Sequence, residues 1–155
     1  MEMGNVMAEE LRFVEVTDAA DSHWSAMLPV LAQLREGLNR EGLESVLTSS
    51  VGQPPRFTGA FIDDACVSVV GWRLLANTHL GLVLYVDDLV VDGSHRGQGY
   101  GHAMLDEMAR IASSLGARAI DLDSGVQRSE AHRFYFANGY SISSHHFRHM
   151  ITEGV

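Results

Sequence analysis

Apolar and polar residues alternate from Leu11 to Val16, which predicts a first strand. Between Asp18 and Leu38 the period lengthens. Trp24, Met27, Leu28, Leu31 and Leu34 recur at helical spacing, and Pro29 either delays or kinks the helix they predict. Gly37 and Gly42 break that pattern before a short second helix near Leu43 to Leu47. Gln53-Pro54-Pro55 reads as a loop. Arg56 to Ile62 and Ala65 to Leu75, joined at Asp63-Asp64, form a predicted hairpin. Asn77 to Gly81 turns the chain into an apolar run, Leu82 to Val91.

Beyond that run the period is again helical, with Met104, Leu105, Met108, Ile111, Ala112 and Leu115 on one face and Gly116 as a C-terminal stop. Ala117 to Asp123 is the next strand. A helical crossover reaches it, so it should pair parallel to the apolar run. Ser129 is placed to N-cap a helix through Asn138, which Gly139 ends, and Tyr140 to Met150 reads as a last strand. No repeat, low-complexity tract or linker interrupts the chain. The expectation is one domain over residues 1–155, with residues 1–10 a flexible N-terminus.

Between the apolar run and the helix lies VVDGSHRGQGYGH, Val90 to His102. A strand, a glycine-rich loop and a helix N-terminus together make an anion site. Glycines let the backbone approach a ligand, and the N–H groups of the first helical turn point at it. Arg96 adds a charge that clamps phosphate through paired hydrogen bonds. The dinucleotide fingerprint fails on register, because His102 and Met104 stand where glycine is required. The P-loop fails because no lysine follows.

What fits is R/Q-x-x-G-x-G/A, with Arg96, Gly99 and Gly101 in its defining places. This resembles the acetyl-CoA loop of the GNAT superfamily of N-acetyltransferases. A second block, Ala131 to Tyr140, is similar to the family's A-x-x-F/L-Y-x-x-x-G-F/Y helix and strand. The resemblance implies a mixed α/β fold: a central, mostly antiparallel sheet, splayed at one parallel strand pair and flanked by helices. It further implies acetyl-CoA as cosubstrate and transfer to a primary amine of a small molecule or peptide by direct attack in a ternary complex. Leu89, Val90 and Val91 would supply backbone contacts to pantetheine. Arg96, Gly97, Gln98, Gly99, Tyr100, Gly101 and His102 would hold the pyrophosphate. Substrate pockets in such enzymes draw on the first two helices and the last strand, here Leu34 to Val51 and Tyr140 to Met150. Many relatives carry an asparagine where this chain has Ser124, Gly125 and Gln127.

Composition narrows the partners. With 155 residues, 46% of them hydrophobic, the chain can bury a genuine core. A net charge of -9 argues against nucleic acid and mildly favours a cationic amine. No stretch is apolar enough to span a membrane, and MEMGNVMAEE lacks the features of a secretion signal. The lone Cys66 forms no internal disulfide, which fits the cytoplasm, and its setting in ACVSVV reads as a buried strand position. A homodimer is compatible with the family.

Acetylating an amine poses three problems. The ammonium, with pKa about 10, must lose a proton. Negative charge developing on the thioester oxygen needs a donor. The leaving thiolate needs a proton or a hydrogen bond. Tyr135 matches the family tyrosine whose hydroxyl lies beside the CoA sulfur. Read from its spacing alone, it is equally a core tyrosine. Asp87 and Asp88 interrupt an otherwise apolar strand, where a buried unpaired carboxylate is expensive. In a regular strand they point to opposite faces, and a bulge beside a water-filled cleft is one explanation. Either carboxylate can accept the ammonium proton, and the resemblance favours Asp87. His145, His146 and His149 cluster without a metal-ligand motif, so no metal is expected. The competing reading from another class is a CoA-binding sensor without turnover, which would need the phosphate loop but no acid.

Overall fold

The computed structural model describes residues 11–152. The expected flexible stretch, residues 1–10, lies outside the described residues. The chain divides into two compact units, one ending at Leu122 and the other beginning at Asp123.

The first unit holds a five-stranded sheet in the order β1-β2-β3-β4-β5. Its strands are β1 (Leu11–Val16), β2 (Arg56–Ile62), β3 (Ala65–Asn77), β4 (Gly81–Val91) and β5 (Ala119–Leu122). β1 to β4 form an antiparallel meander, and β5 pairs parallel to β4. The sheet is mixed because α3 (Tyr100–Ser114) carries the chain back between β4 and β5, while short turns join β2 to β3 and β3 to β4 and two helices lie between β1 and β2. At one such turn Asn77 Oδ1 accepts the N–H groups of His79 and Leu80, at 3.0 and 2.8 Å.

Both faces of the sheet are covered. On one side α1 (Trp24–Leu34) and α2 (Arg40–Leu47) bury Trp24, Met27, Leu31 and Leu43 against Phe57, Phe61, Val69 and Val90. On the other, Met104, Met108 and Ala112 of α3 pack on Val70, Trp72, Leu84 and Val86. β4 is therefore apolar almost throughout because it is covered on both faces. In the sheet, the buried Ser68 hydroxyl donates to the Val90 carbonyl at 2.8 Å, and the buried Thr58 hydroxyl accepts the Trp72 indole N–H at 3.1 Å. Cys66 is buried, and burial pushes its thiol up to about 12, too high to make a thiolate nucleophile.

The expected first helix is shorter than its pattern. Asp18 and Asp21 accept backbone N–H groups at Ala20 and His23 and turn the chain before Trp24. The helix then runs through Pro29.

The second unit contains α4 (Ser129–Ala137). Arg128, not Ser129, takes its N-cap position, and Ser129 is already helical. Gly139 ends the helix with φ 84, and Tyr140 N–H donates to the Tyr135 carbonyl at 3.0 Å. The expected last strand, Tyr140 to Met150, does not form, since those residues have no regular structure. A strand exists only by pairing with another, and alternating β-branched and aromatic residues do not supply that partner. Ile142, Phe147, Met150 and Ile151 are left exposed.

Candidate active site

The register between β3 and β4 slips by one residue at a single place. Trp72 faces Val86, but Gly71 faces Asp88. Asp87 is thus the extra residue of a β-bulge. That insertion resets the alternation: Leu84 and Val86 belong to the α3-side core, Leu89 packs against it, and Val90 lies in the α1-side core. Both carboxylates consequently turn toward the α1 side, not to opposite faces as an unbroken strand would place them. The bulge reconciles two acids with an apolar strand, because both reach the rim of one face.

Each acid has its own arginine. Arg73 of β3 donates Nε to Asp87 Oδ2 at 2.8 Å and Nη2 to Oδ1 at 2.7 Å. This planar fork engages both oxygens and raises the already high pKa of Arg73. The same guanidinium lies 5.6 Å from the centre of the Tyr85 ring. Arg35, just past α1, donates Nε to Asp88 Oδ1 at 2.6 Å and Nη2 to the Asp87 carbonyl at 3.0 Å.

Burial separates the two partners of the second pair, since the Asp88 side chain is 13% exposed and that of Arg35 is 54%. Burial pushes the Asp88 carboxyl above the usual carboxylate range. Arg35 pulls it back without cancelling the rise, and the neighbouring Asp87 charge adds to it. Oδ2 of Asp88 lies over Gly71, where an added Cβ would come within 3.0 Å of it and 2.8 Å of the Phe57 ring. Glycine at 71 is what lets this carboxylate lie flat on β3.

Neither arginine was anticipated from the sequence. Arg73 carried a signal, as a charge inside the apolar hairpin strand. Arg35 sat at an unremarkable helix end and carried none.

The glycine loop begins where β4 ends. Asp92 accepts from Ser94 Oγ, from His95 Nδ1 at 2.7 Å and from Gln33 Nε2 at 2.7 Å. These bonds hold its carboxyl far below the usual range. Gln33 Oε1 in turn accepts the Gly93 N–H at 2.9 Å, so α1 fastens the start of the loop. Ser94 and His95 Nδ1 share one carboxylate, which makes the trio a brace and not a nucleophile relay. Arg96 to Gly99 are exposed, and Gly97 and Gly99 take φ of 75 and 89, values that L side chains resist. Gly99 caps α3, whose first residues, Tyr100 and Gly101, are buried. The first turn of α3 therefore follows directly on an exposed arginine and two left-handed glycines.

Beside this loop β4 loses a neighbour. Its pairing with β5 ends at Val86↔Leu122, leaving Asp87 to Val91 without a β5 partner. The bulge, the end of that pairing and the start of the loop fall within a few residues of one another.

In the second unit Tyr135 is half-buried between the rings of Phe134 and Tyr140, with centroids at 5.3 and 5.8 Å. Burial raises its phenol pKa, against a smaller opposing pull from Arg128, so the hydroxyl stays protonated at neutral pH. His132 Nε2 lies 2.8 Å from the Gly125 carbonyl and braces the segment before the helix. The Ser124 hydroxyl is buried with no hydrogen-bond partner. His146 Nδ1 meets Asp123 at 3.0 Å. Among the described residues no three His, Cys, Asp or Glu side chains converge as a metal group, and no helix is long and apolar enough to cross a membrane.

Comparison with known proteins gives this arrangement a context. The sequence model of the Acetyltransferase (GNAT) family matches residues 21–140. The chain is 31% identical over 127 residues to the uncharacterized N-acetyltransferase YhdJ of Bacillus subtilis (strain 168), covering 81% of this chain and 89% of that protein. It is 36% identical over 70 residues to the aminoalkylphosphonate N-acetyltransferase of Salmonella typhimurium, 45% of this chain and 44% of that one. Among solved structures it resembles the aminoglycoside N-acetyltransferase AAC(6')-Iy in complex with CoA, with a TM-score of 0.75 and 12% identity over 90% of this chain and 93% of that one. At that identity the likeness speaks for the fold alone.

Proposed function

This chain belongs to the GNAT acetyltransferase family, and we propose that it moves an acetyl group from acetyl-CoA to a primary amine of a small molecule or peptide by direct attack in a ternary complex. The observation that carries this reading is the bulge at Asp87. It sets two carboxylates on one face of β4, beside the edge that β5 leaves and directly before the glycine loop.

The residues present fit the cosubstrate. Two left-handed glycines, the exposed Arg96 and the N-terminus of α3 suit a pyrophosphate. The backbone of Leu89 to Val91 suits an amide-bearing arm laid along the strand edge. Gly97, Gln98, Tyr100, Gly101 and His102 complete the loop. When bound, acetyl-CoA supplies an activated acetyl group on a thiol leaving group.

The protein's own part is to move protons. Asp87 spends both oxygens on the Arg73 fork, so neither is left for a substrate. Asp88 gives one oxygen to Arg35, keeps the other, and has a raised pKa, which brings a carboxylate closer to the working range of a general base. We therefore assign the base role to Asp88 and the task of shaping the bulge to Asp87, the reverse of the division expected from resemblance. Tyr135, protonated at neutral pH, is the donor to the leaving thiolate. The family model matches residues 21–140, a span that includes both Asp88 and Tyr135.

The test combines acetyl-CoA calorimetry with free-thiol release over a panel of primary amines. Micromolar-range affinity and amine-dependent thiol release are expected. Binding without any amine-dependent release would refute the reaction.

A further inference from the structure

The acid pair is not a negative patch. Along one side of the bulge run Arg35, Asp88, Asp87 and Arg73, two cations and two anions that sum to zero. The chain as a whole carries -9, so charge alone would favour polycationic amines. The local quartet does not. A substrate arriving as a bare ammonium adds a positive charge between two guanidiniums that cannot deprotonate. A polyamine adds several. A substrate carrying an ammonium and an anion adds none.

The donor geometry points the same way. Both arginines use Nε and Nη2 for these carboxylate and carbonyl contacts. Nη1 of each is left to donate, and a guanidinium has five N–H groups in a fixed fork suited to carboxylate or phosphonate oxygens. Arg35 is half exposed and stands at the end of α1, while Arg73 is steadied by Tyr85. Asp88 Oδ1 takes the Arg35 contact, and Oδ2 lies outside it, over Gly71.

We infer that the substrate is a short amine bearing an anionic group, a carboxylate or a phosphonate, whose ammonium is read by Asp88 and whose anion is read by Arg35 and Arg73. The inference rests on the acetyl-transfer reading and narrows its substrate. Arg35 and Arg73 become specificity residues, and polycationic amines become poor substrates despite the acidic surface.

The experiment measures kcat/KM for β-alanine, 2-aminoethylphosphonate, propylamine and spermidine, by thiol release from acetyl-CoA at constant ionic strength. Propylamine matches β-alanine in reach but lacks the anion. At least one anionic amine should exceed propylamine by about tenfold or more, chiefly through KM, as expected when a charged hydrogen bond is lost. Which of the two leads tells carboxylate from phosphonate. Spermidine should be poorest. In Arg35→Met and Arg73→Met, checked for folding by circular dichroism, the ratio of anionic amine to propylamine should fall toward one.

Equal or better use of propylamine or spermidine by the wild-type protein overturns the inference without any variant. So does a ratio that survives in a folded variant of both arginines. Either result, with turnover present, leaves the acetyl-transfer reading intact. Absence of thiol release with every amine overturns that reading and this one together.

Discussion

Replacing Asp88 by asparagine separates chemistry from packing more cleanly than any other change at the bulge. The side chain keeps its shape and loses its charge, its ion pair with Arg35 and the capacity to hold a proton. A general base contributes about 10² to 10⁴ in rate, equivalent to about 2.7 to 5.4 kcal/mol of barrier at 1.36 kcal/mol per tenfold. The loss should be recoverable with pH. An amine of pKa about 10 is neutral in roughly one part per thousand at pH 7, and that fraction grows about tenfold per pH unit. The variant's rate should therefore climb about tenfold per unit up to about pH 10, while the wild-type profile is flatter.

Stability carries an independent sign. Asp88 has a folded pKa above its unfolded value, so its favourable contribution to folding is present at low pH and lost as pH rises through the folded pKa. At neutral pH the buried charge is a burden only partly offset by Arg35. The freed Arg35 is half exposed and can be solvated, at a cost of at most about 1 kcal/mol. Asp88→Asn should thus lose turnover without a matching fall in melting temperature. Stopped-flow or steady-state thiol release from pH 6 to 10, with thermal melts alongside, reads both. Wild-type turnover at pH 7, or a deficit that persists unchanged to pH 10, would refute the base assignment. The same pH recovery in Asp87→Asn alone would transfer the role to its neighbour.

Gly99→Val forces a β-branched side chain into φ 89, which costs on the order of 1–3 kcal/mol and closes the loop to a ligand; calorimetry should show acetyl-CoA affinity reduced at least tenfold. Tyr135→Phe should lower turnover by about 10² to 10⁴ with acetyl-CoA still bound, whereas a merely structural hydroxyl would cost about 1 kcal/mol of stability and leave turnover near normal. Thr58→Val removes the acceptor of the buried Trp72 indole and should cost about 1–3 kcal/mol in urea unfolding, with little effect on the kinetics of the surviving folded fraction.

The sequence by itself determined what local periodicity and local stereochemistry encode. Alternation placed β1, the hairpin turn at Asp63-Asp64 placed β2, helical spacing placed α3, and Gly116 and Gly139 marked helix ends because they can take the left-handed turn there. The run from Arg96 to Gly101 announced its loop for the same reason. Even the bulge left a trace, as two carboxylates in a strand that could not otherwise hold them.

Only the tertiary structure decided which face those carboxylates reach and what they pair with. Where the extra residue sits depends on the register between β3 and β4, and that register turns both acids to one face. Which charge answers each acid depends on chain-distant neighbours: Arg73 lies 14 residues from Asp87, and Arg35 lies 53 residues from Asp88. The pattern over Tyr140 to Met150 had strand character but no strand, because pairing belongs to two segments and a pattern describes one. Short-range preference is written residue by residue. The partners of a charge, and the face it reaches, come into being when the sheet closes its register.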